Sequence, residues 1–504
     1  MWDLFVAGAP LAFRVDTFAM MSIGVLLGIL VGALPGFTTT MALAILLPLS
    51  FFVDPLVGIP FLLAVTKGGI YGGSIPAILV SIPGTGASMA TTFDGPALTK
   101  KGQSRKAMEM ALFASAFGDT ASSILTLFLI GPIALIAVKF GPPELAAIIV
   151  LSLVVITASA SGVFVKGLVM LVLGLFFGIV GQDPLGGVAR FTFDFFPLRS
   201  GIPLLPMLIG VFALPEVFEA VERKGASLIT KSAGREGERL TFAEFKRCFR
   251  TILRSTGIGA AIGAIPGMGQ VIAAMVGYSA AKNASKHPET FGKGEIEGVA
   301  APEAANNAVN APTLVPLLTL GIPGDNLTAI LLGAFVANGL RPGPQLFEEQ
   351  GPLVFGILVA MVVANLLFLV IGYLTIPLFA RIVTIRKSLL LPLTLLFAVT
   401  GAYAFDSNEF DLFILVFFGV LGYVAKKLRF DISPMVMGFI LGPVFEYALG
   451  QTLSMSQGEF VHFIFVDRPI TAVVLVATPL VTYWLWHRAT KLRREQAARG
   501  AAEN

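Results

Sequence analysis

Two stretches of this 504-residue chain set a Pro-Gly pair inside an apolar run: GALPGFTTTMA from Gly32 to Ala42 and GAIPGMGQVIA from Gly263 to Ala273. Proline lacks an amide donor and clashes with the turn before it, so neither run continues as an unbroken helix. The surrounding medium follows from composition. Hydrophobic residues make up 56% of the chain and charged residues 13%, against about 25% charged in soluble domains, and the mean hydropathy is +0.85. A bilayer crossing needs about 20 apolar residues, so the expectation is an all-α polytopic membrane protein with about 10–14 membrane segments. In such a protein, irregular backbone at depth survives only where protein or water surrounds it. The opening MWDLFVAGAP has neither a basic region nor a cleavage site and is read as part of the mature chain.

The two breaks belong to a longer correspondence. Pro35-Gly36 matches Pro266-Gly267, 231 residues on. PAILVSIPG, with Pro76, Pro83 and Gly84, matches PLLTLGIPG, with Pro316, Pro323 and Gly324, 240 residues on. PMLIGVFALP from Pro206 matches PMVMGFILGP from Pro434, 228 residues on. Three matches in one order imply an internal duplication.

Basic residues then orient the halves. The loop FFVDP carries only Asp54, whereas its counterpart AKNASKHPETFGK carries Lys282, Lys286 and Lys293. LTKKGQSRK holds Lys100, Lys101, Arg105 and Lys106, whereas LRPGPQLFEEQ sets Arg341 against Glu348 and Glu349. Because basic short loops stay cytoplasmic, the reversal implies two repeats of opposite orientation. Residues 1–221 form the first repeat, with a re-entrant hairpin near 22–53 and a break near 83. Residues 222–254, with nine Lys and Arg against four acids, form a cytoplasmic connection. The second repeat is 255–450, with a hairpin near 255–281 and a break near 323. Residues 451–504 form a C-terminal helix and a basic cytoplasmic tail.

Broken helices of inverted repeats build transporter sites near the midplane. Half-helix N-termini offer N–H groups to an anion, and freed carbonyls can hold Na⁺. The candidate substrate or ion residues are Pro35, Gly36, Thr38, Lys67, Ser81, Pro83, Gly84, Thr85 and Gly86 in the first half. In the second they are Pro266, Gly267, Asn306, Asn307, Asn310, Pro323, Gly324, Asp325 and Asn326. Lys67 adds positive charge for an anionic substrate if it faces the site; otherwise it snorkels. Any single hydroxyl here has the ordinary reading of a bond to its i−4 carbonyl, and any single glycine that of close packing. The cluster of Asn306, Asn307 and Asn310 beside a break reads as functional. Asp119 reads as an intramembrane carboxylate with an ion or proton role, with a loop-end placement as the alternative; Asp94 belongs to the polar stretch beside the first break, and the alternative reading for Asp94 and Lys100 is that of ordinary interface residues. Na⁺ near the breaks is the expected metal, with its ligands unassigned.

Other chemistry is disfavoured. The single cysteine, Cys248, has no disulfide partner, and His287, His462 and His487 fall in loops or ends. There is no Walker sequence, and the glycines of TKGGIYGGS lack a phosphate loop's strand and helix. The net charge of +4 follows the positive-inside pattern rather than a nucleic-acid footprint.

Several of these stretches together resemble the large membrane subunit of tripartite tricarboxylate transporters: GALPGFTTTMALAILLPLSF, YGGSIPAILVSIPGTGASMATTFDGPALTKKG, GAIPGMG, EGVAAPEAANNAVNAPTLVPLLTLGIPGDNLTAILLGAFVANGLRPGPQLF and PMVMGFILGP. The resemblance implies a non-enzymatic importer subunit in the bacterial inner membrane. It implies a small membrane subunit and a periplasmic solute-binding protein as partners, a carboxylate substrate such as citrate, and no cofactor beyond a coupling ion, Na⁺ or H⁺. An elevator-type movement follows by analogy with other ion-coupled carboxylate transporters. The alternatives are a stand-alone symporter or exporter and, less favoured, a passive channel. The oligomeric state, a homodimer included, is left open.

Overall fold

A computed structural model describes residues 2–34, 37–159, 164–222, 238–382 and 387–483. Pro35, Gly36, positions 223–237 of the connecting segment and the basic tail with His487 lie outside the described residues. Among those described, the sole sheet is a two-residue antiparallel pairing of Gly181–Gln182 with Ala189–Arg190. The rest is helix and connection.

The helices used below run in order: α1 (Val15–Gly32), α2 (Thr39–Leu46), α3 (Pro55–Val80), α4 (Ser104–Ala137), α5 (Pro142–Ser159), α6 (Phe164–Gly178), α7 (Leu204–Glu222) and α8 (Phe242–Gly263). They continue with α9 (Gly269–Ala284), α10 (Glu297–Asn307), α11 (Leu314–Leu320), α12 (Asn326–Ala337), α13 (Gly351–Ile382), α14 (Lys387–Asp406), α15 (Glu409–Lys427) and α16 (Ser433–Met455). Six helices among the described residues are long and apolar enough to cross a membrane, or seven if the bent pair Phe460–Asp467 and Pro469–Tyr483 is one span. This is below the 10–14 segments expected. The Pro-Gly breaks cut apolar sequence into pieces shorter than a crossing, such as α2 and α12, while α7 and α15 carry several charges each.

The chain divides into two compact units. The first joins Met1–Leu135 to Leu205–Tyr423. At its centre α3 is buried along its apolar window, and close approach to α1 depends on glycine. A Cβ on Gly28 would lie 2.2 Å from the Val65 carbonyl oxygen, and one on Gly32 would lie 2.3 Å from that of Gly69. α8 and α10 meet in the same manner. A Cβ on Gly259 would lie 2.2 Å from the Ala305 oxygen, and one on Gly263 would lie 2.7 Å from that of Val309. Small residues at such spacing let membrane helices touch backbone to backbone.

The second unit joins Ile136–Leu204 to Val424–Asn504. Here α6 packs on α16, where a Cβ on Gly174 would lie 2.0 Å from the Met435 oxygen. Arg190 grips both oxygens of Glu446. Glu144 accepts hydrogen bonds from the Gly141 N–H and the Thr471 hydroxyl.

Candidate functional site

All groups of the site belong to the first unit, and the site begins with the breaks. At the end of α1, Ala33 sits at φ −72°, ψ −9°, its N–H donating to Ile29 O, while Leu34 N–H donates to Val31 O and Phe37 N–H to Leu34 O. At the end of α8, Ala264 sits at φ −71°, ψ −13°, with Ala264, Ile265 and Met268 N–H donating to Ala260, Ile262 and Ile265 O. Each residue of the second turn stands 231 positions after its equivalent in the first. Gly267 takes φ +88° within that turn. Thr38 caps α2 by accepting the Met41 N–H at 3.1 Å. Pro35 and Gly36 themselves lie outside the described residues.

The second pair of breaks also repeats its geometry. α3 ends on Ser81 at φ 60°, ψ 20°, and α11 ends on Gly321 at φ 71°, ψ 18°. Ile82 N–H donates to Pro76 O at 3.4 Å, and Ile322 N–H to Pro316 O at 3.1 Å. This is the left-handed helix stop that satisfies terminal carbonyls before a proline, here Pro83 and Pro323. The breaks of each half then touch. A Cβ on Gly84 would meet Gly32 O at 2.4 Å, and Gly267 N–H donates to Gly324 O at 2.7 Å. Thr85 pairs its hydroxyl with Ser88 at 3.1 Å, at the edge of the one-turn helix that Gly86 opens.

Beside the second-half breaks lies a narrow cavity of about 10 Å³, lined among others by Lys67, Gln270, Asn310, Thr313, Asp325 and Thr328. That is room for about one water molecule. Lys67 Nζ donates to Asp119 Oδ1 at 2.6 Å, with the side chains 2% and 0% exposed. Asp119 also accepts from Ser123 Oγ at 3.1 Å and from Asn310 Nδ2 at 2.9 Å, and Asn310 Oδ1 accepts from Gln270 Nε2 at 2.8 Å. Lys67 therefore lines the cavity, with its charge held by an aspartate in this arrangement. Asp325 lines the cavity yet is committed to capping α12, accepting the Thr328 N–H at 2.9 Å, and Asn326 opens that helix.

A second polar group surrounds Glu303. Its carboxylate accepts from the Thr91 hydroxyl, from Ser115 Oγ at 3.4 Å and from Asn306 Nδ2 at 3.4 Å. Asn307 Nδ2 donates to Ser115 Oγ, Asn306 Oδ1 and Glu303 O. Glu303, Asn306 and Asn307 are fully buried.

Of the residues read from the sequence, Lys67, Asn310 and Asp325 line the cavity, while Asn306 and Asn307 join the Glu303 group. Ser81, Pro83, Gly84, Thr85, Gly86, Pro266, Gly267, Pro323 and Gly324 shape the breaks without lining it. Gln270 was missed, although an amide three residues after Gly267 in an apolar run was a visible signal. Asp94 is held as a structural carboxylate. It is fully buried, one oxygen accepting the N–H groups of Gly292, Gly294 and Glu295 and the other the Tyr278 hydroxyl.

Comparison with known proteins finds relatives of the whole chain. A relative from Agrobacterium vitis, described as an uncharacterized 52.8 kDa protein in the TAR-I ttuC' 3'region, is 38% identical over 458 residues, 90% of each chain. Another from the same organism, described as an uncharacterized protein in the TAR-II ttuC' 3'region, is 40% identical over 217 residues, 43% of this chain and 89% of its own. No solved structure matches. The tripartite tricarboxylate transporter TctA family matches residues 18–437, and this chain belongs to that family, as a multi-pass membrane subunit of a tripartite tricarboxylate transporter.

Proposed function

We propose that this chain is the carrier subunit of an ion-gradient-driven importer of tricarboxylates or related carboxylates. A periplasmic solute-binding protein delivers the substrate, and a small membrane subunit completes the complex in the inner membrane, with the C-terminus in the cytoplasm. The observation that carries this reading is the cavity beside the breaks, where Lys67 from the first half meets Gln270, Asn310 and Asp325 from the second. When the cavity widens to admit a carboxylate, Lys67 Nζ shares its charge between the substrate and Asp119, a charge-assisted contact, while Gln270 and Asn310 reorient their amide donors toward it. No nucleotide is needed, so the energy comes from an ion gradient.

The matching geometry of the breaks supports a duplicated origin. So do the glycine contacts, since Gly28 on Val65 and Gly259 on Ala305 differ by offsets of 231 and 240. The two compact units each draw on both halves. In an elevator-type cycle, a transport unit carrying the cavity moves across the membrane against a second that stays fixed.

The test is uptake of radiolabelled citrate and a panel of related carboxylates into vesicles holding this chain, with and without its co-encoded membrane and binding partners. Uptake is expected only with all three components and an imposed Na⁺ or H⁺ gradient. Full uptake by this chain alone overturns the tripartite reading. Asn307→Ala, which removes three buried hydrogen bonds, is expected to lower uptake at least tenfold at an unchanged amount of inserted protein, and Asn306→Ala to lower it less. Normal transport by both variants sinks the site.

A further inference from the structure

The buried carboxylates of the first unit are not neutralised alike. Asp119 has Lys67 at 2.6 Å, and Glu109 has Arg105 at 2.9 Å. Asp94 has three backbone N–H groups, and Asp325 sits on a helix N-terminus. Glu303 has none of these: its donors are two hydroxyls and one side-chain amide, two of them at 3.4 Å. An ionised carboxylate so deep in protein carries a cost that hydroxyls alone do not offset, so the group takes a proton or pairs with a cation.

The surroundings are those of a hard-cation site. Oxygen atoms of Thr91, Ser115 and Asn306 stand within this hydrogen-bonded group, as does the Ala87 carbonyl, which accepts from Asn306 Nδ2 at 3.4 Å. Asn307 adds an independent sign. Its Nδ2 is fully used, while its Oδ1 is buried with no hydrogen-bond partner. A buried oxygen without a donor, in the residue whose amide bonds Ser115 and the Glu303 backbone, is free to meet a positive charge.

We propose that Glu303 holds the coupling cation, a single positive charge that is either a proton or Na⁺, with Thr91, Ser115 and Asn307 providing the oxygens around it. This rests on the reading of the chain as an ion-coupled carrier and assigns that ion's site. The other titratable groups on the elements packed around α10 have partners or lie toward helix ends. They are Lys67 and Tyr71 on α3, Asp94 just before the short helix Gly95–Lys100, Glu109 and Asp119 on α4, Tyr278 and Lys282 on α9, and Lys246, Arg247, Cys248, Arg250 and Arg254 on α8. Glu297, on α10 itself, accepts the Thr251 hydroxyl. The link to the cavity is short. Ser115 and Asp119 lie one turn apart on α4, and Asn307 and Asn310 are three residues apart, so occupancy at Glu303 reaches the Lys67–Asp119–Asn310 chain through Ser115 and Asn307.

The experiment follows thermal unfolding of the purified full chain in nanodiscs. Na⁺ is titrated against choline at fixed pH, and pH is then varied in choline alone. The wild type is expected to gain stability from one of the two, Na⁺ or acidification, which names the cation. Glu303→Gln, neutral and of the same shape, is expected to unfold no earlier than the loaded wild type and to lose at least tenfold of that response. Thr91→Val is expected to shift the half-saturating Na⁺ or H⁺ concentration about tenfold, which keeps the assignment testable if Glu303→Gln does not fold. A Glu303→Gln or Thr91→Val response equal to wild type overturns the proposal, as does a wild type insensitive to both ions. Because binding is read without transport, this outcome is separate from that of the uptake test.

Discussion

The left-handed stops at Ser81 and Gly321 separate what a side chain costs from what a backbone needs. A non-glycine residue in that conformation costs roughly 1–2 kcal/mol, and Ser81 already bears this cost. Ser81→Ala is therefore expected to leave the unfolding midpoint nearly unchanged. Gly321→Ala is expected to lose about 1–2 kcal/mol, and its Cβ would also lie 2.9 Å from Pro342 O. Equal midpoints for the two variants would show that the shared geometry is absent. Glu244 offers a charge counterpart at the polar start of α8. Partial burial there opposes ionisation, but hydrogen bonds from Lys106 and from the Thr241 N–H and hydroxyl outweigh it and hold the carboxyl down to about 2 from an ordinary 4.5. A lowered folded-state value means stability that is present above pH 4.5 and lost as pH falls toward 2. Wild-type thermal stability should fall across that window more steeply than that of Glu244→Gln, and parallel profiles would remove Glu244 from the account.

Among helices, the glycine contacts decide which changes matter. Gly259 and Gly257 are two residues apart on α8, yet a Cβ on the first would lie 2.2 Å from the Ala305 oxygen while one on the second meets nothing within 4 Å. Gly259→Ala is expected to cost about 1–3 kcal/mol as overpacking, and Gly28→Ala, facing Val65 O at the same 2.2 Å, a similar amount. Gly257→Ala should be neutral or slightly stabilising. Detergent-solubilised melting curves rank the three directly, and a loss at Gly257 as large as at Gly259 contradicts the packing. These helices also show what could be read beforehand. The breaks and the helical class were legible, because proline and an apolar run act locally. The capture of Lys67 by Asp119, the role of Asp94 under the 292–295 loop and the part of Gln270 were not, because each depends on residues 40 to 201 positions apart meeting in space.

The arrangement of loops bears on how the chain sits in its membrane. In the first unit, Lys101 Nζ donates to Gly294 O at 3.5 Å, Lys106 bridges Glu238 and Glu244 at 2.8 Å each, and Arg247 reaches Glu295 at 3.3 Å. The loop of Lys100 and Lys101, the start of α8 and the loop bearing Lys286 and Lys293 thus gather together and carry the basic excess. A separate group forms where Arg14 approaches Asp54 at 3.5 Å, and where a Cβ on Gly8 would lie 2.2 Å from Pro352 O, close after Glu348 and Glu349. If basic loops stay cytoplasmic, the first gathering is expected in the cytoplasm and the second in the periplasm, the arrangement that two oppositely oriented repeats would give. Cys248 is buried, so with Cys248→Ala as background, single cysteines at Lys101, Lys286, Asp54 and Glu348 can be labelled in intact spheroplasts. An impermeant maleimide should modify Asp54→Cys and Glu348→Cys at once, and Lys101→Cys and Lys286→Cys only after the membrane is opened. Labelling of Lys101→Cys together with Asp54→Cys from outside would undo the inverted arrangement, and with it the argument that the four breaks converge on one midplane site.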